Sequence, residues 1–183
     1  MRLCHRDELL WLLSEGKLDI EVDDGSEPVF LDEHRLGLRI GTIYRLSGEV
    51  NLQSSHRTDV ELVDFAHEPL LPGTRYLGLS RERIGLGGGY VSTIHTRSRY
   101  ARLGLEMLGS SNFVVPGFGT TKSTPIVFEI STALATRGFS FEDCYAFLLV
   151  YEVDAPRRIP NFKQYFRRFP VRLHEDARNH EEK

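Results

Sequence analysis

Arg97-Ser98-Arg99-Tyr100-Ala101-Arg102-Leu103-Gly104-Leu105 sets the Ser98 hydroxyl between guanidinium groups and then runs into an apolar, glycine-containing segment. Guanidinium groups bind oxyanions bidentately and a serine hydroxyl adds a short hydrogen bond, so the stretch reads as an anion-handling cluster fixed to a core element. In an extended segment Arg97 and Arg102 would fall on opposite faces, so a turn or helical bend must intervene if both reach one ligand. Residue types alone leave a second reading open, in which Arg97, Arg99 and Arg102 are solvated charges at a strand end.

Downstream, Val114-Val115-Pro116-Gly117-Phe118-Gly119 predicts a turn, and Ile126-Val127-Phe128-Glu129-Ile130 predicts a strand carrying one carboxylate. Alternation puts Glu129 on the same face as Val127 and Ser131. If that face is inward, desolvation raises the carboxyl pKa toward the range useful for general acid–base work; if outward, Glu129 is a surface carboxylate on a half-buried strand. His95, just before the arginines, reads more simply as a surface or hydrogen-bonded histidine and is left out of the catalytic set.

Outward from this centre the chain consists of short apolar or alternating runs separated by Gly, Pro, Asp and Ser. Gly41-Thr42-Ile43-Tyr44-Arg45-Leu46 is one, Thr74-Arg75-Tyr76-Leu77-Gly78-Leu79 after Pro72-Gly73 another, and residues 141–153 a third, buried one. Many short strands with frequent turns predict a sandwich or barrel. Asp7 is expected to cap a helix in which Leu9, Leu12 and Leu13 share a face, with Gly16 ending it. Gly85-Leu86-Gly87-Gly88-Gly89 lacks the GK[ST] ending of a phosphate loop and precedes a strand-like Tyr90-Val91-Ser92-Thr93-Ile94, so it reads as a flexible turn.

With 183 residues and a formal net charge of −3, the chain fits one domain and carries no global field for duplex nucleic acid. A nucleic-acid partner is therefore not expected, and the basic stretch within 157–172 reads as a solvated or phosphate-facing tail. The two cysteines, Cys4 and Cys144, have neither the spacing of a disulfide framework nor that of a zinc site. No apolar run approaches the ~18–20 residues that cross a bilayer. A soluble cytoplasmic protein without an export signal or membrane partner is expected. The zinc-deaminase pattern of an HxE followed by a later PCxxC is absent, as is a GxSxG elbow, so any hydrolysis is expected to activate water without a protein-bound metal.

The order of these motifs resembles that of dCTP deaminases, in the dUTPase-like superfamily, over most of the chain. Met1-Arg2-Leu3-Cys4, Glu15-Gly16-Lys17-Leu18 and Leu38-Arg39-Ile40-Gly41 resemble the family's opening helix and early strand. Leu77-Gly78-Leu79-Ser80 resembles the strand before its central motif. Arg97-Ser98 with Ala101-Arg102-Leu103-Gly104-Leu105 is similar to the family's RSSxARLGL, Pro116-Gly117-Phe118 to its PG-aromatic turn, and Val127-Phe128-Glu129 to the strand bearing its catalytic glutamate. The resemblance implies a mainly β, distorted barrel or jelly-roll-like (β-clip) fold with an N-terminal helix. Residues 1–172 would form one dUTPase-like domain and 173–183 a charged tail. It implies a homotrimer with active sites where subunits meet, and hydrolytic conversion of dCTP, or a related or modified cytosine nucleotide, to the uracil nucleotide and ammonia. By the same resemblance Glu129 would be the general base and acid, with Ser98 and Arg102 positioning water and stabilising the tetrahedral centre. Arg97 would hold phosphate, with Arg99, Val127, Phe128 and Phe162 completing the substrate contacts. Magnesium would ride on the substrate's phosphates rather than in a protein cage.

The sequence also departs from the family pattern. Arg99 replaces the second Ser of the central motif, Val115 replaces the Asp before the PG turn, and Gly37 replaces an early Asp. Residues 120–124 are extra, and Phe162 stands where the tail has a Tyr. These losses fall on sugar and phosphate recognition, whereas Glu129, Ser98 and Arg102 survive. Two alternatives stay open: a dUTPase-like diphosphatase, against which Val115 argues because it cannot deprotonate water, and a non-catalytic nucleotide-binding or regulatory homologue.

Overall fold

The described residues of this computed structural model are 1–47, 59–107 and 112–153, and they form ten strands and two short helices. In chain order these are β1 (Arg2–Leu3), α1 (Arg6–Ser14), β2 (Leu18–Val22), β3 (Arg35–Ser47), β4 (Asp59–Val63), β5 (Tyr76–Leu86), β6 (Tyr90–Thr96), α2 (Ser98–Ala101), β7 (Leu105–Met107), β8 (Phe113–Val114), β9 (Thr124–Thr132) and β10 (Cys144–Glu152). All pair antiparallel along the path β7-β9-β5-β3-β10-β6-β8, with β1, β2 and β4 attached to β10, β5 and β3.

β3 turns the corner. Its first half pairs with β10, Leu36 opposite Leu148 and Arg39 opposite Cys144, and from Ile40 it pairs with β5, Ile40 opposite Ser80 and Ile43 opposite Gly78. The register shifts between Ile40 and Thr42, and a strand that changes partners across such an irregularity bends one sheet into the next. A second shift lies on β5 between Leu79 and Arg83. There the Ser80 hydroxyl accepts a hydrogen bond from the Ile126 N–H at 2.8 Å and donates to the Glu82 carbonyl, so the broken ladder stays satisfied. The result is the mainly β, distorted barrel that the sequence predicts.

Period-two alternation fills it. On β10, Cys144, Ala146, Leu148 and Val150 point inward and are buried, while Phe147, Leu149 and Tyr151 are half-buried on the outer face. Leu36, Leu38, Ile40, Ile84, Leu86, Ile126, Phe128 and Ile130 join them in one core that Leu9 and Leu12 of α1 cover. Gly37 faces Cys144 so closely that a Cβ there would come within 2.5 Å of its Sγ, which accounts for glycine at this position.

The helix cap differs from expectation. His5, in extended conformation, is the N-cap: its Nδ1 accepts from the Asp7 N–H at 3.4 Å, and the Glu8 carboxylate accepts from the His5 N–H at 3.0 Å. Asp7 instead lies in the first turn, where its charge complements the helix dipole. At the other end the Lys17 N–H bonds to the Leu12 carbonyl at 2.9 Å and Gly16 takes φ +64°, the left-handed stop the sequence predicts. β10 begins at Cys144, not at 141; residues 141–143 belong to a turn in which Phe141 packs on Phe65 at 4.6 Å. Phe162, the basic stretch 157–172 and the tail 173–183 lie outside the described residues. No helix among the described residues is long and apolar enough to cross a membrane.

Arg39 and Glu82 meet at the corner, 3% and 1% exposed. The Arg39 N–H and Nε donate to the two Glu82 oxygens at 2.8 and 2.7 Å, and Nη2 donates to the Ser26 hydroxyl at 3.1 Å. Removing one partner leaves a buried charge unmatched, which costs about 3–5 kcal/mol, whereas replacing both by apolar groups is often neutral. Urea unfolding is therefore expected to place Arg39→Met about 3–5 kcal/mol below wild type, with Arg39→Met/Glu82→Leu recovering most of the loss.

Candidate functional site

The arginine stretch folds as a bend, the condition for Arg97 and Arg102 to reach one ligand. Arg97 ends the β6 region with extended φ and ψ and caps α2, a single helical turn. Its N–H donates to the Tyr145 carbonyl at 2.9 Å and its Nη1 to the Cys144 carbonyl at 3.1 Å, so β10 fixes both its backbone and its side chain. Ser98 and Arg102, four apart, lie on one side of the turn. The Arg102 N–H bonds the Ser98 carbonyl at 3.0 Å and its Nε approaches the same oxygen at 3.3 Å. Both side chains are exposed, as is Arg99, while Tyr100 points inward at 7% exposure.

Gly104 then takes φ +81°, and its carbonyl accepts the Ala133 N–H at 2.8 Å, which aligns β7 beside β9. A Cβ on Gly104 would meet that of Ala133 at 3.1 Å. Leucine and glycine after the arginines thus weld the cluster to the strand that bears Glu129.

On β9, Ile126, Phe128 and Ile130 are at most 4% exposed and face the core, whereas Val127 is 47% exposed and Glu129 and Ser131 are half-buried. The face of Glu129 is thus the outer one in the single chain, the second of the two readings the sequence leaves open. Phe128 belongs to the core by its side chain. Glu129 lies opposite Leu77, and four residues separate it from Ala133, where the arginine segment joins β9. At about 3.3 Å per residue that is roughly 13 Å along the strand. One chain therefore brings Arg97, Ser98, Arg99 and Arg102 together on and beside α2 and sets Glu129 and Val127 further along β9, the strand the segment joins.

The remaining sequence features find structural roles. The Gly117 N–H donates to the Leu86 carbonyl at 2.8 Å and the Leu86 N–H to the Phe118 carbonyl at 2.7 Å, so the PG turn clips onto the end of β5. Val115 is half-buried. Within the extra residues, the Ser123 hydroxyl bonds the Glu21 carboxylate of β2, which anchors the approach to β9. The turn at 87–89 joins β5 to β6. His95 bonds Thr93 at 2.8 Å and stacks on Phe147 at 5.4 Å, in keeping with the simpler reading of it. No group of three or more His, Cys, Asp or Glu among the described residues could hold a metal ion.

Sequence reasoning missed Tyr145 and the carbonyls of Cys144 and Tyr145. The available signal was Tyr100, an aromatic among arginines, whose burial demands a partner. Tyr145 is that partner, with ring centres 4.5 Å apart.

The sequence profile of the dCTP deaminase-like family matches residues 5–137. The structure of 2′-deoxycytidine 5′-triphosphate deaminase from Agrobacterium tumefaciens is similar at a TM-score of 0.60 and 17% identity, over 81% of this chain and 46% of that one. The chain thus spans about half the length of that protein, and at this identity the shared feature is the fold. Two dUTPases of staphylococcal phages, phi11 and 80alpha, match at TM-scores of 0.48 and 0.49 and 10% identity, over 80% and 78% of this chain and 98% and 94% of theirs. Comparison with curated proteins gave no match.

Burial pushes the Tyr145 phenol up to about 12. Because the folded value is raised, its contribution to stability is complete below the unfolded value near pH 10 and is lost as pH climbs toward 12. Between those limits wild type is expected to lose about 2–3 kcal/mol more than Tyr145→Phe, measured by urea unfolding at stepped alkaline pH.

Proposed function

This chain belongs to the dCTP deaminase-like family, and we propose that it hydrolyses the C4 amino group of a cytosine deoxynucleotide, dCTP or a related or modified one. The observation that carries the reading is the α2 turn: a hydroxyl and a guanidinium side by side, with Arg97 tethered to two carbonyls at 2.9 and 3.1 Å. Such fixed donors are suited to charge that develops only during attack.

In this reading Glu129 takes a proton from water, whose oxygen adds to C4. Ser98 and Arg102 orient that water and stabilise the tetrahedral centre. Glu129 delivers that proton to the ring nitrogen beside C4 and then carries the proton of the new C4 hydroxyl to the amino group, so that the C–N bond breaks, ammonia leaves, and a C4 carbonyl remains. Arg97 holds phosphate, and Arg99, an arginine where the family motif has serine, changes the size and charge of that pocket. Val127, beside Glu129 on the exposed face, would line the base, and Phe128 would support the strand from the core. Magnesium, in this account, arrives with the substrate's phosphates.

The roughly 13 Å of strand between Glu129 and the arginine segment supports the further reading that sites are completed between copies, in a homotrimer. Val115 argues against a dUTPase-like diphosphatase because valine cannot activate water. Residues 1–172 are proposed to act as one domain in the cytoplasm.

Mass spectrometry on a panel of cytosine nucleotides is expected to find one that exchanges amino for oxo, with ammonia released. Glu129→Gln is expected to lower kcat by about 10²–10⁴-fold with an unchanged Tm. Full turnover by Glu129→Gln would overturn the role of Glu129. Nucleotide-dependent thermal stabilisation without product from any substrate would favour a non-catalytic binding protein instead.

A further inference from the structure

A single helical turn is too short to hold its own shape in water, so the orientation of Ser98 and Arg102 must be imposed from outside α2. The Gly104–Ala133 bond fixes where the segment leaves the turn, and two further contacts act on the turn itself. Arg97 is tied to the main chain of β10 through the Cys144 and Tyr145 carbonyls. The middle of the turn is held differently, by the buried ring of Tyr100 lying 4.5 Å from that of Tyr145. Tyr145, 3% exposed, packs in turn on Phe139 at 5.1 Å, and Phe139 on Phe65 at 5.9 Å, so a row of four rings runs beneath the turn. The row is itself anchored. The Tyr145 hydroxyl accepts the Ser140 N–H at 2.8 Å, and the neighbouring Glu142 carboxylate pairs with Arg81 at 2.9 Å and faces the buried Arg39 at 3.6 Å.

We propose that Tyr145 is a positioning residue for the deamination site: its ring, acting through Tyr100, sets the tilt of α2 and hence the placement of the Ser98 hydroxyl and the Arg102 guanidinium. The proposal rests on the deaminase reading given above. It separates two functions of the same stretch. The two carbonyls that tether Arg97 are main chain and survive any change of the Tyr145 side chain, so phosphate binding is kept. The ring contact is side chain, and its loss releases the catalytic end of the turn. A displacement of about 1 Å at reacting groups costs on the order of 10²-fold in rate.

The test compares wild type, Tyr145→Leu and Tyr145→Phe by steady-state kinetics on the nucleotide that wild type converts, with amide hydrogen exchange on the same samples. Tyr145→Leu is expected to lower kcat by roughly 10–100-fold while KM stays within about threefold, and Tyr145→Phe, which keeps the ring, to restore most of kcat. The amides of Arg102, Leu103 and Gly104 are expected to exchange faster in Tyr145→Leu, with those of Ile126, Phe128 and Ile130 unchanged. An unchanged kcat in Tyr145→Leu, or a loss that Tyr145→Phe does not restore, overturns the proposal. If Tyr145→Leu does not fold, Tyr100→Leu is measured in its place against Tyr100→Phe, with the same two outcomes. If wild type converts no cytosine nucleotide, the deaminase reading fails separately, and exchange decides alone: faster exchange at Arg102, Leu103 and Gly104 supports the positioning role, unchanged exchange removes it.

Discussion

Arg39 and Glu82 are charged side chains that the barrel has taken out of water, and their pairing is the constraint on which the rest of the molecule is arranged. Desolvating both is unfavourable, so the pair is tolerable only because each Glu82 oxygen receives a donor from Arg39, one of them from the main chain. That double contact ties β3 to β5 at the corner where β3 leaves β10. It also reaches outward. Arg39 touches Ser26 and faces Glu142, while the adjacent Arg81 joins Asp24 to Glu142. Two surface loops are therefore clamped to one buried cation and its neighbour.

From Glu142 the constraint passes along the chain to Cys144 and Tyr145, whose carbonyls hold Arg97, and across the Tyr145 ring to Tyr100. The functional candidates thus sit at the end of a continuous set of contacts that begins at the barrel corner. What emerges at the surface is a short turn with its donors outward and its aromatic inward. Arg99 follows the same logic. Its guanidinium lies 4.8 Å from the centre of the Tyr100 ring, so the extra charge of this family member lies against the turn. Under the proposed deaminase function, Arg99 and Val115 would alter how a nucleotide is held, while the groups proposed to move protons and stabilise charge are retained.

Much of this was legible in the sequence, and the losses have physical reasons. Glycine- and proline-bounded alternating runs were enough for the strands, and the spacing of Arg97 and Arg102 called for a bend if both were to reach one ligand. The full length of β3 was not legible, because Arg39 in its middle reads as polar and because a strand that changes partners mid-course has no single alternation. The pairing of Arg39 with Glu82, 43 residues away, leaves no local trace. His5 took the cap expected of Asp7 because the Glu8 side chain closes a reciprocal pair with the His5 main chain, and a histidine nitrogen can accept there. Glu129 was correctly put on the face of Val127, but alternation cannot say which face looks inward. That depends on the distant core residues that pack over Ile126, Phe128 and Ile130.

In the proposed reaction Glu129, Ser98 and Arg102 converge on one hydrolytic water. The most direct measurement is a crystal structure of the assembled protein with an unreactive cytosine nucleotide analogue. The Glu129 carboxylate is expected within about 3 Å of the base edge or its attacking water, with a Ser98 hydroxyl and an Arg102 guanidinium at the same water and Arg97 on phosphate. A Glu129 side chain facing bulk solvent in the full assembly, away from every Ser98 and Arg102, would contradict it.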